Sequence, residues 1–170
     1  MSFSIARIIR RLLAPRHELS CPILVWWKLL DQLRERGQYC SRESGAFLLG
    51  TRDGAQARIV DFVLYDDLDP HALDSGIVRF DGRHFGKLWE ICKQRELTVV
   101  ADVHVHPGSA LQSASDQNHP MISRSGHIAL IIPDFARTPT SISALGIYRY
   151  LGAKQWATVR FPQRFFFVGF

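Results

Sequence analysis

The sequence predicts an α/β fold in which a mixed β-sheet is sandwiched by two main helices. Three observations carry that expectation. Two stretches place apolar residues at helical spacing: Trp26, Leu29, Leu30 and Leu33 in the first, and Phe85, Leu88, Trp89 and Cys92 in the second. Between and after them lie short apolar runs, such as Ser44 to Leu49 and Thr98 to Val105, which are too short for helices and read as buried strands. Asp53-Gly54 between two such runs is a hairpin signal. At 170 residues the chain is one domain of ordinary size, long enough to bury roughly 70% of its unfolded surface without covalent staples.

The elements follow in order. Residues 2–13 set Phe3, Ile5, Ile8, Ile9, Leu12 and Leu13 beside three arginines, the pattern of a short basic amphipathic helix that Pro15 ends. Residues 1–20 are therefore read as an N-terminal segment and 21–170 as the domain. That segment either packs on the domain's own surface or docks on a partner or an anionic membrane surface. Cys21 to Val25 reads as a strand, and Trp26 to Arg36 as a helix stopped by Gly37. Ser44 to Leu49 and Ala57 to Tyr65 form the hairpin, and residues 66–82, rich in Asp, Pro and Gly, form a loop over one rim. Arg83 to Glu96 is the second helix, and Thr98 to Val105 a strand. A loop and short helix follow from Gly108 to about Ser123. His127 to Ile132, Ser143 to Tyr150 and Trp156 to Phe161 are further strands, and Phe165 to Phe170 is placed to close the sheet.

Charge and cysteine content exclude several functions. The net charge of +5 falls mainly on residues 1–16, where Arg7, Arg10, Arg11 and Arg16 stand with no acid, so the body is nearly neutral. A nucleic-acid-binding domain carries a basic stripe on the folded body, and no nucleic-acid partner is expected. No apolar run approaches the ~20 residues of a membrane span, and the N-terminus lacks a signal-peptide pattern, so the expected location is the cytoplasm. Cys21, Cys40 and Cys92 fit neither a disulfide framework nor a CxxC metal pattern and read as reduced thiols.

The chemistry concentrates in His104-Val105-His106-Pro107, followed by Ser113-Ala114-Ser115-Asp116, with Glu43-Ser44-Gly45-Ala46-Phe47-Leu48-Leu49-Gly50 upstream. Residues two apart on a strand share a face, so His104 and His106 can reach one metal ion. Asp116 closes a three-ligand set that leaves zinc one open position, the layout of a catalytic rather than a structural site. Glu43 is the expected general base toward water activated there, and Ser113 the expected hydrogen-bond donor to an oxyanion. Asp102, on the same strand face, is expected to orient an imidazole from behind. Each residue also has a plainer role. The histidines can be half-buried polar residues, Ser113 can cap a helix that begins at Ala114, and Glu43 can be a surface carboxylate. His119, followed by Pro120, reads as a surface residue. A cysteine hydrolase, a zinc deaminase with a PCxxC element and an HExxH metalloprotease find no support in the sequence.

Together, Glu43, His104-x-His106-Pro107 and Ser113-x-x-Asp116 resemble the motif of the JAB/JAMM (MPN+) zinc metalloprotease family, and the resemblance spans most of residues 21–170. It implies the MPN/JAB, cytidine-deaminase-like architecture and Zn2+ held by His104, His106 and Asp116. It also implies proton transfer by Glu43 and oxyanion stabilisation by Ser113. The implied activity is isopeptide or peptide cleavage after the C-terminal glycine of a ubiquitin-like protein, in deconjugation or precursor maturation. The five-residue spacer between Pro107 and Ser113, with Gly126-His127-Ile128-Ala129-Leu130-Ile131-Ile132-Pro133 downstream, resembles bacterial members encoded beside activating-like and conjugating-like enzymes, including antiphage systems. The implied partners are a ubiquitin-like protein or its conjugates and the enzymes of such an operon. A peptidase for a sulfur-carrier-like protein and a non-catalytic scaffold are the alternatives. Val105 stands where many relatives have Ser or Thr, on the side away from the metal. A ubiquitin-like tail can add as a strand beside the site, with residues 66–82 and 134–143 as the expected rims.

Overall fold

The computed structural model describes residues 17–137 and 140–170, so the amphipathic pattern at 2–13 lies outside the described residues. Eight strands form one mixed sheet: β1 (Leu19–Pro22), β2 (Gly45–Asp53), β3 (Gln56–Leu64), β4 (Thr98–Val105), β5 (Ile128–Ile132), β6 (Gly146–Gly152), β7 (Gln155–Thr158) and β8 (Phe166–Gly169). Their order across the sheet is β7-β6-β5-β4-β2-β3-β1-β8. The helices are α1 (Ile23–Arg36), α2 (Tyr65–Leu68), α3 (Phe85–Gln94), α4 (Ala114–Asn118) and α5 (Pro162–Phe165).

Alternation along β2 sorts the interior into two apolar layers. Ala46 and Leu48 join Trp26, Leu29, Leu30 and Leu33 of α1, whereas Phe47 and Leu49 join Leu88 and Cys92 of α3. Side chains alternate between the faces of a strand, so α1 and α3 serve opposite faces. Burial of this kind contributes roughly 1.5–3 kcal/mol per large apolar side chain.

Local features depart from the sequence expectations for identifiable reasons. α1 begins at Ile23 rather than Trp26, because Pro22 takes the N-cap position with extended dihedrals and ends β1 there. The strand expected at Cys21 to Val25 instead covers Leu19–Pro22, so the sheet takes in two residues of the segment assigned to 1–20. Gly37 ends α1 for lack of space rather than for a left-handed turn. Its φ is −72°, and a Cβ there would stand 3.0 Å from the Arg42 carbonyl oxygen and 3.1 Å from that of Leu33. Trp89 does not join the core as its helical spacing suggests; it is 48% exposed and stacks on Phe85. β8 does not close the sheet but forms its edge, parallel to β1.

A bulge in β4 matters most for the site. The β2–β4 register passes from Leu48↔Ala101 to Leu49↔Val99, which leaves Val100 as the extra residue. Val100 and Ala101 therefore both face the α1 layer, while Val99 joins the α3 layer. The shift puts Val99 on the side of the sheet to which Asp102, His104 and His106 also point. At the other end of the pairing Gly45 lies opposite His104, and the Val105 N–H donates to the Ser44 carbonyl at 3.0 Å. This brings Glu43 to the end of β4. Ser44 is fully buried, and its hydroxyl donates to the Leu33 carbonyl at 2.6 Å, tying α1 to the same corner. Gly45 is required by close approach: a Cβ there would overlap the Tyr65 ring.

Candidate metal centre

β4 delivers His104 and His106 at its C-terminal end, both nearly buried. Their Nε2 atoms stand 2.9 Å apart. Asp116, in the first turn of α4, turns one carboxylate oxygen to each: Oδ1 lies 3.4 Å from His104 Nε2 and Oδ2 3.3 Å from His106 Nε2. Donors about 2.1 Å from zinc at tetrahedral angles stand about 3.4 Å from one another. The two nitrogen-to-oxygen separations match that figure, and the two nitrogens need open by only a few tenths of an ångström. The residues fit an ion: His104, His106 and Asp116 form a group able to hold a metal, with one ligand atom of each within 4.8 Å of the others.

Asp116 is held where a ligand must be. Ser113 is the N-cap of α4, and its Oγ accepts the Asp116 N–H at 3.2 Å while Asp116 Oδ2 accepts the Ser113 N–H at 2.6 Å, a reciprocal capping box. The cap and the ligand readings of this motif thus describe one arrangement. Burial alone would raise the Asp116 pKa, but the hydrogen bonds from His104 and His106 and the Ser113 backbone hold it well below the usual carboxylate range. Burial would likewise lower the His106 pKa; the Asp116 carboxylate, the Glu43 charge and the Ser109 backbone raise it instead.

Glu43 reaches the same corner. Its Oε1 is 3.9 Å from His106 Nε2, and its Oε2 accepts the Val78 N–H at 3.1 Å. The Glu43 N–H donates to the Gly76 carbonyl at 2.9 Å. The loop after α2 therefore holds Glu43 twice, by its backbone N–H and by one carboxylate oxygen, a role that the sequence alone did not assign to residues 76–78. Ser113 is exposed beside the ligands with its hydroxyl oxygen occupied by the cap, which leaves its hydroxyl hydrogen free to donate. His119 is exposed and faces the Ser115 carbonyl at 3.1 Å, apart from the ligand group.

Asp102 does not orient a ligand imidazole. Its carboxylate is taken by His127 Nε2 at 2.5 Å and by the Tyr65 hydroxyl, which donates to Oδ2 at 3.1 Å. All three residues are buried. Burial, and then the charge and hydrogen bond of Asp102, push the Tyr65 pKa well above its ordinary value. His104 Nδ1 is buried with no partner among the described residues. His127 was read from the sequence as the start of a strand, without a role at the site. It stands just before β5, and its pairing 25 residues back on β4 was not readable.

A cavity of about 550 Å³ opens beside Asp116, walled by Val78, Phe80, Phe85, Trp89, Met121 and Ile122. Of the two expected rims, the end of residues 66–82 borders it, through Val78, Arg79 and Phe80. The described start of the 134–143 segment lies beside the ligand loop: the Asp134 and Phe135 N–H groups donate to the Gly108 and His106 carbonyls at 3.0 and 2.8 Å, and the turn Asp134–Ala136 also meets α1, where Arg34 Nε donates to the Ala136 carbonyl at 2.5 Å.

With this geometry in place, the chain proves to be a distant relative of a metalloprotease-named protein. It is 27% identical over 127 residues to a probable metalloprotease of Sinorhizobium fredii, across 75% of this chain and 78% of that one. No family model matches. By fold it is similar to a Desulfitobacterium hafniense protein solved in solution, with a TM-score of 0.65 and 16% identity over 88% of this chain and 92% of the other. Among the described residues, no helix is long and apolar enough to cross a membrane.

Proposed function

We propose that this chain is a zinc-dependent peptidase of the JAB/JAMM type that cleaves after the C-terminal glycine of a ubiquitin-like or similarly conjugated protein. The single observation that carries the reading is the convergence of His104, His106 and Asp116 with a loop-held Glu43 carboxylate 3.9 Å from His106. The distant metalloprotease relative supports the peptidase class, and α1 and α3 on opposite faces of the sheet suit an MPN-type arrangement.

Zinc in this site supplies Lewis-acid activation of water and of the scissile carbonyl. His104, His106 and Asp116 would hold it, with the capping box fixing the carboxylate before the ion arrives. Glu43 takes a proton from the attacking water on the oxygen that does not accept from Val78, and then delivers it to the leaving amine. The Ser113 hydroxyl hydrogen donates to the developing oxyanion, a role worth a few kcal/mol. The aromatic and aliphatic walls beside Asp116 exclude water and take an extended tail.

The test is a quenched-fluorescence peptide library with glycine before the cleaved bond, offered to zinc-loaded wild type, chelated wild type and Glu43→Gln. Cleavage by the first alone is the expected result. Equal cleavage by the zinc-loaded wild type and Glu43→Gln overturns the reading.

A further inference from the structure

A second cavity, of about 340 Å³, lies at the N-terminal end of β4, away from the metal ligands. Three arginines from different parts of the chain converge on it: Arg52 from the end of β2, Arg124 from the loop before β5 and Arg149 from β6. Among the described residues, Glu18 is the one carboxylate at its rim and pairs with Arg149 at 2.7 Å. Arg52 spends a guanidinium N–H on the Val100 carbonyl at 3.0 Å, and Arg124 makes no ion pair among the described residues. Three guanidiniums against one carboxylate leave two positive charges in excess. Their crowding registers on Arg52, whose pKa is lowered first by burial and then by the charges of Arg124 and Arg149. A concave site lined by charge of one sign concentrates its field, and guanidinium forks match carboxylate and phosphate oxygens.

This cavity adjoins the one beside Asp116. Trp89 and Ile122 line both it and the cavity beside Asp116. The β4 bulge turns Val99, at its floor, to the same side of the sheet as His104. Across the bulge, Thr98 and His104 pair with Gly50 and Gly45, five residues apart on β2, about 17 Å at the strand rise and within the reach of about six residues of extended chain.

We propose that Arg52, Arg124 and Arg149 form a binding site for an anionic group, and that the group is an acidic side chain carried by the polypeptide that the metal centre cleaves, about six residues from the scissile bond. The assignment of the group to a substrate rests on the peptidase reading; the anion site itself does not. The shared wall of Trp89 and Ile122 gives the intervening chain an apolar track between the two sites.

Calorimetric titration of the full chain with N-acetyl-tetraglutamate amide, its tetraglutamine counterpart and inorganic phosphate tests the site without any turnover. Saturable binding of tetraglutamate but not tetraglutamine is expected. Arg124→Glu should weaken it at least tenfold, and Arg160→Glu, the same charge change at an exposed position outside the cavity, less than twofold. Equal weakening by both variants, or no saturable binding, overturns the proposal. Phosphate binding through Arg124 more tightly than tetraglutamate overturns the polypeptide source. In zinc-loaded wild type, an acidic residue about six positions from the cleaved bond should then raise kcat/KM, and Arg124→Glu should abolish that gain while still cleaving neutral peptides. If no peptide is cleaved at all, the peptidase reading fails while the titration still reports on the anion site.

Discussion

The Val78 N–H donates to Glu43 Oε2 at 3.1 Å, so the proposed base is held by the backbone of a loop 35 residues further along the chain. One carboxylate oxygen is fixed by that bond and the other faces His106. The loop itself is organised by Asp69, which is nearly buried and accepts the N–H groups of His71 and Asp81, each at 3.0 Å.

Replacing Asp69 with Ala leaves two backbone donors without their acceptor, at a cost on the order of 2 kcal/mol. Denaturant unfolding should show that loss, and peptide turnover should fall with it because Val78 no longer holds Glu43 in place. Unchanged turnover in a folded Asp69→Ala protein would show that the loop does not position the base.

The same residue sets a pH dependence. Burial would raise the Asp69 pKa, but the Asp81 and His71 N–H groups and His84 bring it below the ordinary value. A carboxylate with a depressed folded pKa contributes stability that is present above its unfolded pKa, about 3.9, and is lost as pH falls through the folded value. Stability should therefore drop below about pH 4 more steeply in the wild type than in Asp69→Asn. Identical acid limbs would contradict this.

Ser113 serves two purposes that one substitution separates. Ser113→Ala removes the Oγ that caps α4 but keeps the backbone N–H that holds Asp116 Oδ2. Zinc content should stay normal and kcat should fall roughly 10²-fold or more. A matching loss of metal would assign Ser113 to positioning Asp116 alone.

The three thiols should differ sharply in reactivity. Burial pushes Cys21 up to about 12, and Cys92 is raised by burial as well; the thiolate is the reactive form. Cys40 is only half-buried. Iodoacetamide at pH 8 should modify Cys40 alone in the native protein and all three after denaturation. Fast native labelling of Cys21 would contradict the packing at β1.

Much of the site was legible because its residues lie close in sequence. Thr98–Val105 is a strand over the range its apolar run suggested, so the parity of His104 and His106 could be read directly. Ser113 and Asp116 form a local cap whose spacing is its own signature. The strand of Asp102 was legible too, but its partner was not. The Asp102–His127 bond depends on parallel pairing of β4 with β5, which places Asp102 opposite Ala129, and that register is a long-range outcome. The bulge at Val100 was hidden for the same reason, since an uninterrupted apolar run reads alike with or without one extra residue. Trp89 fitted a helical stripe, and only the packing of Phe85 and Phe80 beneath it leaves its ring at the surface.

The most direct test of the central claim is the zinc content of the purified full chain, measured beside Glu43→Gln and His104→Ala. About one zinc per chain in the wild type and Glu43→Gln, and none in His104→Ala, is the result predicted by three ligands and a separate base. No zinc in the wild type after metal-free handling and reconstitution, or full zinc in His104→Ala, would contradict it.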